Sequence, residues 1–173
     1  LNNLKKKFEN FGINGYVVPK NDEFFSEYPK KDRLSLISNF SGSAGYAVIL
    51  KEKNYLFVDG RYTQQAFKQS GKFFKIITMP KQMPKDVLKK KRLVIGFDPK
   101  LFTKKNLEIF FNKSNCTLKP LKFNLIDMIW KRKIEISKKR FFILPNHSVD
   151  EKYEFKINRA VSDLKKKDVD FLF

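Results

Sequence analysis

Residues 40–62 read FSGSAGYAVILKEKNYLFVDGRY and contain two short apolar runs separated by a charged segment. The runs at 46–50 and 55–58 are rich in β-branched and aromatic residues, which favour strands. The connection at 51–54 is short enough to join them as a hairpin. The stretch therefore predicts an antiparallel pair of strands.

The segments on either side of this hairpin alternate between strand-like and helix-like patterns. Apolar runs predict strands at 15–19, 73–79, 93–97 and 116–119, and helical spacing or end signals predict helices at 1–11, 33–37, 61–70, 84–91 and 103–111. Gly12 and Gly71 lie where glycine commonly ends a helix. We therefore predict an α/β fold with a mixed sheet of about six strands and helices on both faces.

The composition changes near residue 131. Residues 131–140, KRKIEISKKR, are rich in charge and have no clear apolar period. We predict a linker there, between a first domain at 1–130 and the beginning of a second, incomplete domain at 141–173. The second domain is predicted to contain a strand at 141–144, a helix capped by a box of Ser148 and Glu151 and showing Tyr153, Ile157, Val161 and Leu164, and a strand at 169–173. We expect the chain to be a fragment of a longer protein.

The formal charge of +19 raises the question of nucleic-acid binding. The positive residues are 31 lysines and 6 arginines, although bidentate recognition of phosphates and bases depends on arginine. The lysines are scattered over every segment, so we interpret them as a solvated surface and expect no specific nucleic-acid partner. No apolar run reaches the roughly 18 residues of a membrane span, and a single cysteine, Cys116, excludes an intrachain disulfide. We expect a cytoplasmic protein that does not bind membranes.

Residues suited to catalysis are few and dispersed. His147 is the only histidine, and it lies beside a predicted helix start, which is typical of a surface or capping position. The carboxylates lie in separate loops without the helical pairing that would support a two-metal site; they are Asp22, Glu23, Glu27, Asp59, Asp98 and Asp127. We predict neither a catalytic residue nor a metal ligand in this chain.

The small-residue loop SGSAG is a candidate for function. Its members Gly42, Ser43 and Gly45 precede a strand and lack the Lys-Ser/Thr ending of a phosphate-binding loop. They also lack the spacing of a G-x-S-x-G nucleophile elbow. Two interpretations remain open: a tight loop with close backbone packing, and a loop that faces a substrate or a partner.

The second candidate loop, DGRY, lies at a predicted strand-to-helix junction. Asp59 can cap the following helix by accepting from the amide of Arg61 or Tyr62. Arg61 suits either a structural ion pair or an anion-binding role.

Several longer strings of the chain resemble one family. They are YVVPKNDEFFSEY at 16–28, DRLSLISNFSGSAGYAVIL at 32–50, LFVDGRYTQQA at 56–66, VIGFDPKLFT at 94–103, NLIDMIW at 124–130 and VDEKYEFKINRAVSDLKKKDVDFLF at 149–173. In order and spacing they resemble the N-terminal part of the cytosolic Xaa-Pro aminopeptidases, the aminopeptidase P group of the creatinase and prolidase superfamily. One departure is Phe24, where the family often has a histidine.

The resemblance implies an enzyme of three domains. Its third domain, outside this chain, would hold two divalent metals, usually manganese, and cleave the bond between a first residue and a proline. The N-terminal domain would have a mixed six-stranded sheet of the ribonuclease H-like type. It would help to form a homodimer and limit access to the active site, so the implied partners are its own C-terminal catalytic domain, a second copy and proline-containing peptides.

By the same resemblance, the candidates for a substrate- or interface-facing surface are Gly42, Ser43, Gly45, Asp59, Arg61 and Tyr62. Two other functions remain open: an independent protein-interaction module, and the N-terminal domain of a creatinase-type amidinohydrolase. The SGSAG and DGRY strings favour the aminopeptidase over both.

Overall fold

A computed structural model describes residues 1–89, 92–130, 142 and 144–170. Its strands are β1 (Gly15–Pro19), β2 (Gly45–Leu50), β3 (Asn54–Asp59), β4 (Lys75–Met79), β5 (Leu93–Phe97) and β6 (Cys116–Pro120). Its α-helices are α1 (Asn2–Lys5), α2 (Arg33–Ser38), α3 (Thr63–Ser70), α4 (Pro84–Leu88), α5 (Lys104–Phe111) and α6 (Tyr153–Lys166). Short 3₁₀ turns cover Gly60–Tyr62, Pro99–Leu101 and Asn146–Ser148.

The six strands form one mixed sheet in the order β4-β3-β2-β1-β5-β6. β2 runs antiparallel to both β1 and β3, whereas β4 is parallel to β3 and both β5 and β6 are parallel to β1. The carboxyl ends of the other five strands therefore meet at one edge, together with the beginning of β2. We call this edge the carboxyl edge of the sheet.

Helices cover both faces of the sheet. Adjacent residues of a strand point to opposite faces, and Val48 and Ile49 of β2 accordingly belong to different clusters of buried side chains. One cluster contains Leu4, Phe8, Leu34, Ile37 and Ala66, and the other contains Leu88, Leu101 and Phe111. This arrangement confirms the predicted α/β fold with a mixed six-stranded sheet.

Three predicted elements are shorter in the structure. The strand predicted from 73 begins at Lys75, because the amides of Phe73 and Phe74 both donate to the carbonyl of Ser70 at 3.0 Å and prolong the end of α3. The helix predicted at 1–11 is regular only over α1 and continues as turns to Gly12, which has a φ of 58°. The helix predicted to reach 91 ends at Leu88, and residues 90 and 91 lie outside the described residues.

The chain forms two compact units, 1–134 and 135–173. In the second unit, α6 confirms the predicted helix, but the predicted capping box is wrong. The helix begins after Lys152 without a side-chain cap, and Ser148 lies in a separate 3₁₀ turn. Glu151 instead accepts two hydrogen bonds from Arg159, at 2.8 and 3.0 Å.

The remaining predictions for this part of the chain cannot be compared with the fold. The predicted linker at 131–140, residues 141 and 143 of the predicted strand at 141–144, and residues 171–173 of the predicted strand at 169–173 lie outside the described residues. The domain bounds therefore stay a prediction.

Candidate functional site

The two candidate loops lie side by side at the carboxyl edge. The hydroxyl oxygens of Ser43 and Tyr62 are 2.8 Å apart, because β2 begins where the neighbouring β3 ends, with Gly45 opposite Val58. The sheet thus brings together the SGSAG and DGRY segments, which the sequence singled out separately.

Close packing explains the glycines of the first loop. A Cβ atom added to Gly42 would lie 2.3 Å from Cζ of Phe40 and 3.0 Å from Cδ1 of Tyr62. A Cβ atom added to Gly45 would lie 2.9 Å from the carbonyl oxygen of Phe57. The SGSAG loop is therefore tightly packed, which is one of the two interpretations left open by its sequence. Its serine, Ser43, also lies beside the polar side chains of Glu27 and Tyr62.

Asp59 holds the DGRY turn in the predicted way. Its Oδ1 accepts from the backbone amide of Arg61 and from Nε of the same arginine, both at 2.9 Å. These hydrogen bonds lower the pKa of the Asp59 carboxyl below its ordinary value. Asp59 is therefore the cap of the turn before α3.

Arg61 is paired and yet open to solvent. Its side chain is 75% exposed, and its guanidinium carbon lies 5.5 Å from the ring centroid of Tyr62. Within the described residues the hydrogen bond of its side chain is the one from Nε to Asp59, and Glu27 is close enough to contribute to the raised pKa of Arg61. The structure is therefore compatible with both predicted roles of Arg61, as a partner in an ion pair and as a residue that binds an anion.

Glu27, which the sequence analysis considered only as a possible metal ligand, is also a member of this site. Ser43 donates its hydroxyl proton to Oε1 of Glu27 over 2.6 Å. Glu27 belongs to the loop after β1, and only the pairing of β1 with β2 places that loop next to Ser43. The position of Glu27 just beyond a predicted strand indicated that it lies at one edge of the sheet. The order of the strands was needed to show that Ser43 lies beside it.

The loop after β1 is held by its own side chains. Oδ1 of Asp22 accepts from the amides of Phe24 and Ser26, both at 3.0 Å. Phe25 adopts a φ of 57°, a conformation that a bulky side chain rarely takes unless its surroundings impose it. The loop is therefore closed by its own hydrogen bonds, although the side chain of Phe24 is 88% exposed.

The buried side chain of Arg33 hydrogen-bonds both to the loop after β1 and to a residue near the end of the first unit. Arg33 is 2% exposed and donates to Glu23 at 2.6 Å and to both carboxylate oxygens of Asp127 at 2.8 and 3.0 Å. Lys31 also pairs with Asp127, at 2.7 Å. Burial alone would raise the pKa of Asp127, but the hydrogen bonds and charges of Arg33 and Lys31 outweigh burial and lower it.

The other acidic residues named from the sequence have local roles. Asp98 accepts from the amide of Lys100 at 3.0 Å and from the side-chain amide of Asn124 at 2.9 Å. His147 is exposed in the second unit. Within the described ranges, no three His, Cys, Asp or Glu side chains come together in a way that could hold a metal ion, and no helix there is long and apolar enough to cross a bilayer.

A cavity of about 250 Å³ opens beside the hydrogen-bonded residues. Its lining includes Phe25, Glu27, Tyr46, Met79, Phe102 and Phe110. The rings of Tyr46 and Phe110 are stacked with centroids 4.2 Å apart. The hydroxyl of Tyr46 is buried without a hydrogen-bond partner among the described residues, and burial raises its pKa.

The sequence matches the profile of the creatinase/prolidase N-terminal domain over residues 1–128. It is 35% identical to the Xaa-Pro aminopeptidase ApepP of Drosophila melanogaster over 136 residues, which is 69% of this chain and 21% of that protein. It is 33% identical to the probable Xaa-Pro aminopeptidase P of Pyrenophora teres f. teres over a 183-residue alignment, which is 96% of this chain and 27% of that protein. The chain thus spans less than a third of the length of these relatives.

Solved structures share the fold. The X-prolyl aminopeptidase of Caenorhabditis elegans, described as a cytosolic enzyme with a di-nuclear active site, superposes with a TM-score of 0.74 at 24% identity, over 96% of this chain and 31% of that chain. The N-terminal domain of the cytoplasmic peptidase PepQ from Mycobacterium tuberculosis superposes with a TM-score of 0.58 at 18% identity, over 74% of this chain and 95% of that chain.

Proposed function

Because this chain belongs to the creatinase/prolidase N-terminal domain family, we propose that it is the non-catalytic N-terminal region of a metal-dependent Xaa-Pro aminopeptidase. One observation carries the proposal. The 33% identity to a probable Xaa-Pro aminopeptidase P extends over 96% of the chain, beyond the 128 residues of the family domain and into the second unit. This extent favours an aminopeptidase over a separate interaction module or a creatinase-type amidinohydrolase.

The carboxyl edge of the sheet is the surface that would serve this function. In open α/β sheets, ligands are met where loops leave the carboxyl ends of strands. Gly42, Ser43 and Gly45 occupy this edge beside Tyr62, and Arg61 offers its terminal nitrogens to solvent there. We propose that these residues and Asp59 face the peptide substrate or a second subunit, and that this domain limits the entry of substrates and takes part in a homodimer.

The chemistry would belong to the C-terminal catalytic domain. There two divalent metals, manganese by the family resemblance, would activate water for attack on the bond before proline. The described residues contribute shape and hydrogen-bonding groups at the edge of the substrate path, and no catalytic step is assigned to them. We propose a cytoplasmic location, which the description of the C. elegans enzyme as cytosolic supports.

The test compares this 173-residue chain with the full-length parent protein, both assayed with Arg-Pro-Pro and added Mn²⁺. We expect release of the first residue by the full-length protein, loss of that activity in the presence of a chelator, and no turnover by the 173-residue chain. Turnover by the rigorously purified chain would refute the non-catalytic assignment. A full-length protein that hydrolyses no Xaa-Pro bond would refute the aminopeptidase.

A further inference from the structure

The loop after β1 exposes three aromatic residues within one short segment. Phe24, Phe25 and Tyr28 are 88%, 48% and 78% exposed. Single apolar side chains are common on protein surfaces, but several of them together mark a surface that meets a partner. We call residues 21–28 the aromatic loop.

The polar side chains of the aromatic loop are used inside the domain. Asn21 donates from Nδ2 to the carbonyl oxygen of Leu101 at 3.0 Å. Asp22, Glu23 and Glu27 accept hydrogen bonds from neighbouring protein groups at 2.6–3.0 Å. The usual arrangement of a surface loop is therefore reversed, because its polar side chains bind the protein and its aromatic side chains face solvent.

These hydrogen bonds fix the shape of the aromatic loop before any partner arrives. Phe25, between the two residues whose amides donate to Asp22, has a φ of 57°, which a bulky residue adopts only when its surroundings impose it. A loop that is already held in its binding conformation loses little conformational entropy on binding. The aromatic loop thus has the properties of a prepared contact surface.

The size of this surface decides between two kinds of partner. Burying a whole aromatic residue removes about 150–250 Å² from water, so the exposed parts of Phe24, Phe25 and Tyr28 can bury about 300–500 Å² together. A stable dimer of ordinary size buries about 800 Å² on each partner. Interfaces between domains of one chain bury about 600–1,500 Å² in total, or about half of that on each side. The aromatic loop alone is too small for a dimer interface and suits a contact between domains, whose covalent linkage supplies a high effective concentration.

We propose that the aromatic loop packs against an apolar patch on the catalytic domain of the same polypeptide, with Phe24 and Tyr28 as its anchors. The inference rests on the proposed function, which places that domain after this chain. The alignments cover only 21% and 27% of two aminopeptidase relatives, so most of the parent protein would lie outside the chain. The contact would hold the carboxyl edge, with its SGSAG and DGRY segments, in a fixed position relative to the catalytic domain.

Photo-cross-linking in the full-length parent protein tests the proposal. Phe24 is replaced by p-benzoylphenylalanine, which bonds covalently to neighbouring residues on irradiation, and the linked peptides are identified by mass spectrometry. We expect a link to a residue beyond position 173, in a product that has the mass of one chain on a denaturing gel. The same replacement at Tyr28 should reach the same region, and it provides the test if the variant at position 24 does not fold.

An exposed phenylalanine elsewhere in the domain is the matched control. Phe67 in α3 is 70% exposed, and the same replacement there should give no link to the region reached from position 24. Hydrogen exchange supplies a second measurement. The amides of residues 21–28 should exchange about tenfold more slowly in the full-length protein than in the 173-residue chain, because the docked domain excludes solvent, whereas those of residues 63–70 should exchange equally in both.

A cross-link between two chains would overturn the proposal, because it would make the aromatic loop a dimer contact. Equal exchange of residues 21–28 in the two proteins would also overturn it, as would the absence of any link beyond position 173 from both positions. None of these measurements depends on hydrolysis. A full-length protein that cleaves Xaa-Pro bonds but gives one of these results would refute the contact and leave the proposed function intact.

Discussion

Arg33 donates from Nε and Nη2 to the two carboxylate oxygens of Asp127, at 2.8 and 3.0 Å, across 94 residues of sequence. This bidentate pair joins the beginning of α2 to the segment at the end of the first unit. Bidentate pairing fixes orientation as well as distance, and the oriented guanidinium also donates to Glu23 at 2.6 Å, which anchors the loop after β1 beside the cavity.

Arg33→Ala should lower the free energy of unfolding by about 3 kcal/mol, the lower end of the range for breaking a buried ion pair, since both carboxylate partners are partly exposed. Urea denaturation followed by circular dichroism measures it. Arg61→Ala, which removes an exposed arginine, is the control and should leave the midpoint unchanged. Equal midpoints for the two variants would show that the buried pair contributes no stability.

Stability should fall in acid partly through Asp127. The folded pKa of Asp127 is lowered, so its contribution is present above the unfolded value of about 3.9 and is lost as the pH falls through the folded value. Urea unfolding between pH 6 and pH 3 should show a shallower decline in Asp127→Asn than in the parent chain. Parallel curves would contradict the assignment, because the other carboxylates are common to both proteins.

The packing of the SGSAG loop predicts a difference between two glycine substitutions. Gly42→Ala should cost about 1–3 kcal/mol, since the added methyl would overlap the ring of the fully buried Phe40. Gly60→Ala should stay within about 0.5 kcal/mol, because the nearest atom to its added Cβ is Cγ2 of Thr78 at 3.8 Å. Thermal and urea unfolding of both variants measure the loss of stability. An equal loss in the two variants would show that the close contact between Gly42 and Phe40 does not restrict the size of the residue at position 42.

The DGRY turn predicts different effects of substitution at its two charged residues. Asp59→Ala should measurably lower the urea midpoint of the 173-residue chain, because the amide of Arg61 loses its acceptor. Arg61→Ala should leave that midpoint unchanged and should lower kcat/KM or weaken dimerisation in the full-length protein. Unchanged kinetics and sedimentation of full-length Arg61→Ala, together with a large loss of stability in the chain, would make Arg61 a purely structural residue.

Local patterns were sufficient for much of the fold. The hairpin at 46–58 follows from two β-rich runs and a short charged connection, and the cap by Asp59 follows from a hydrogen bond that spans two residues. The predicted box of Ser148 and Glu151 is wrong because the helix begins after Lys152, so Ser148 is not its N-cap residue, and Glu151 accepts from Arg159 instead.

The sequence by itself determined the elements, the candidate loops and the family, since each depends on neighbouring residues or on ordered strings. Only the tertiary structure decided that Glu27 meets Ser43, that Glu23 and Asp127 converge on Arg33, and that the rings of Tyr46 and Phe110 line one cavity. These contacts depend on the strand order β4-β3-β2-β1-β5-β6. Strand order is set by the joint burial of both faces of the sheet, which couples residues far apart in the chain and leaves no periodic signal in any single segment.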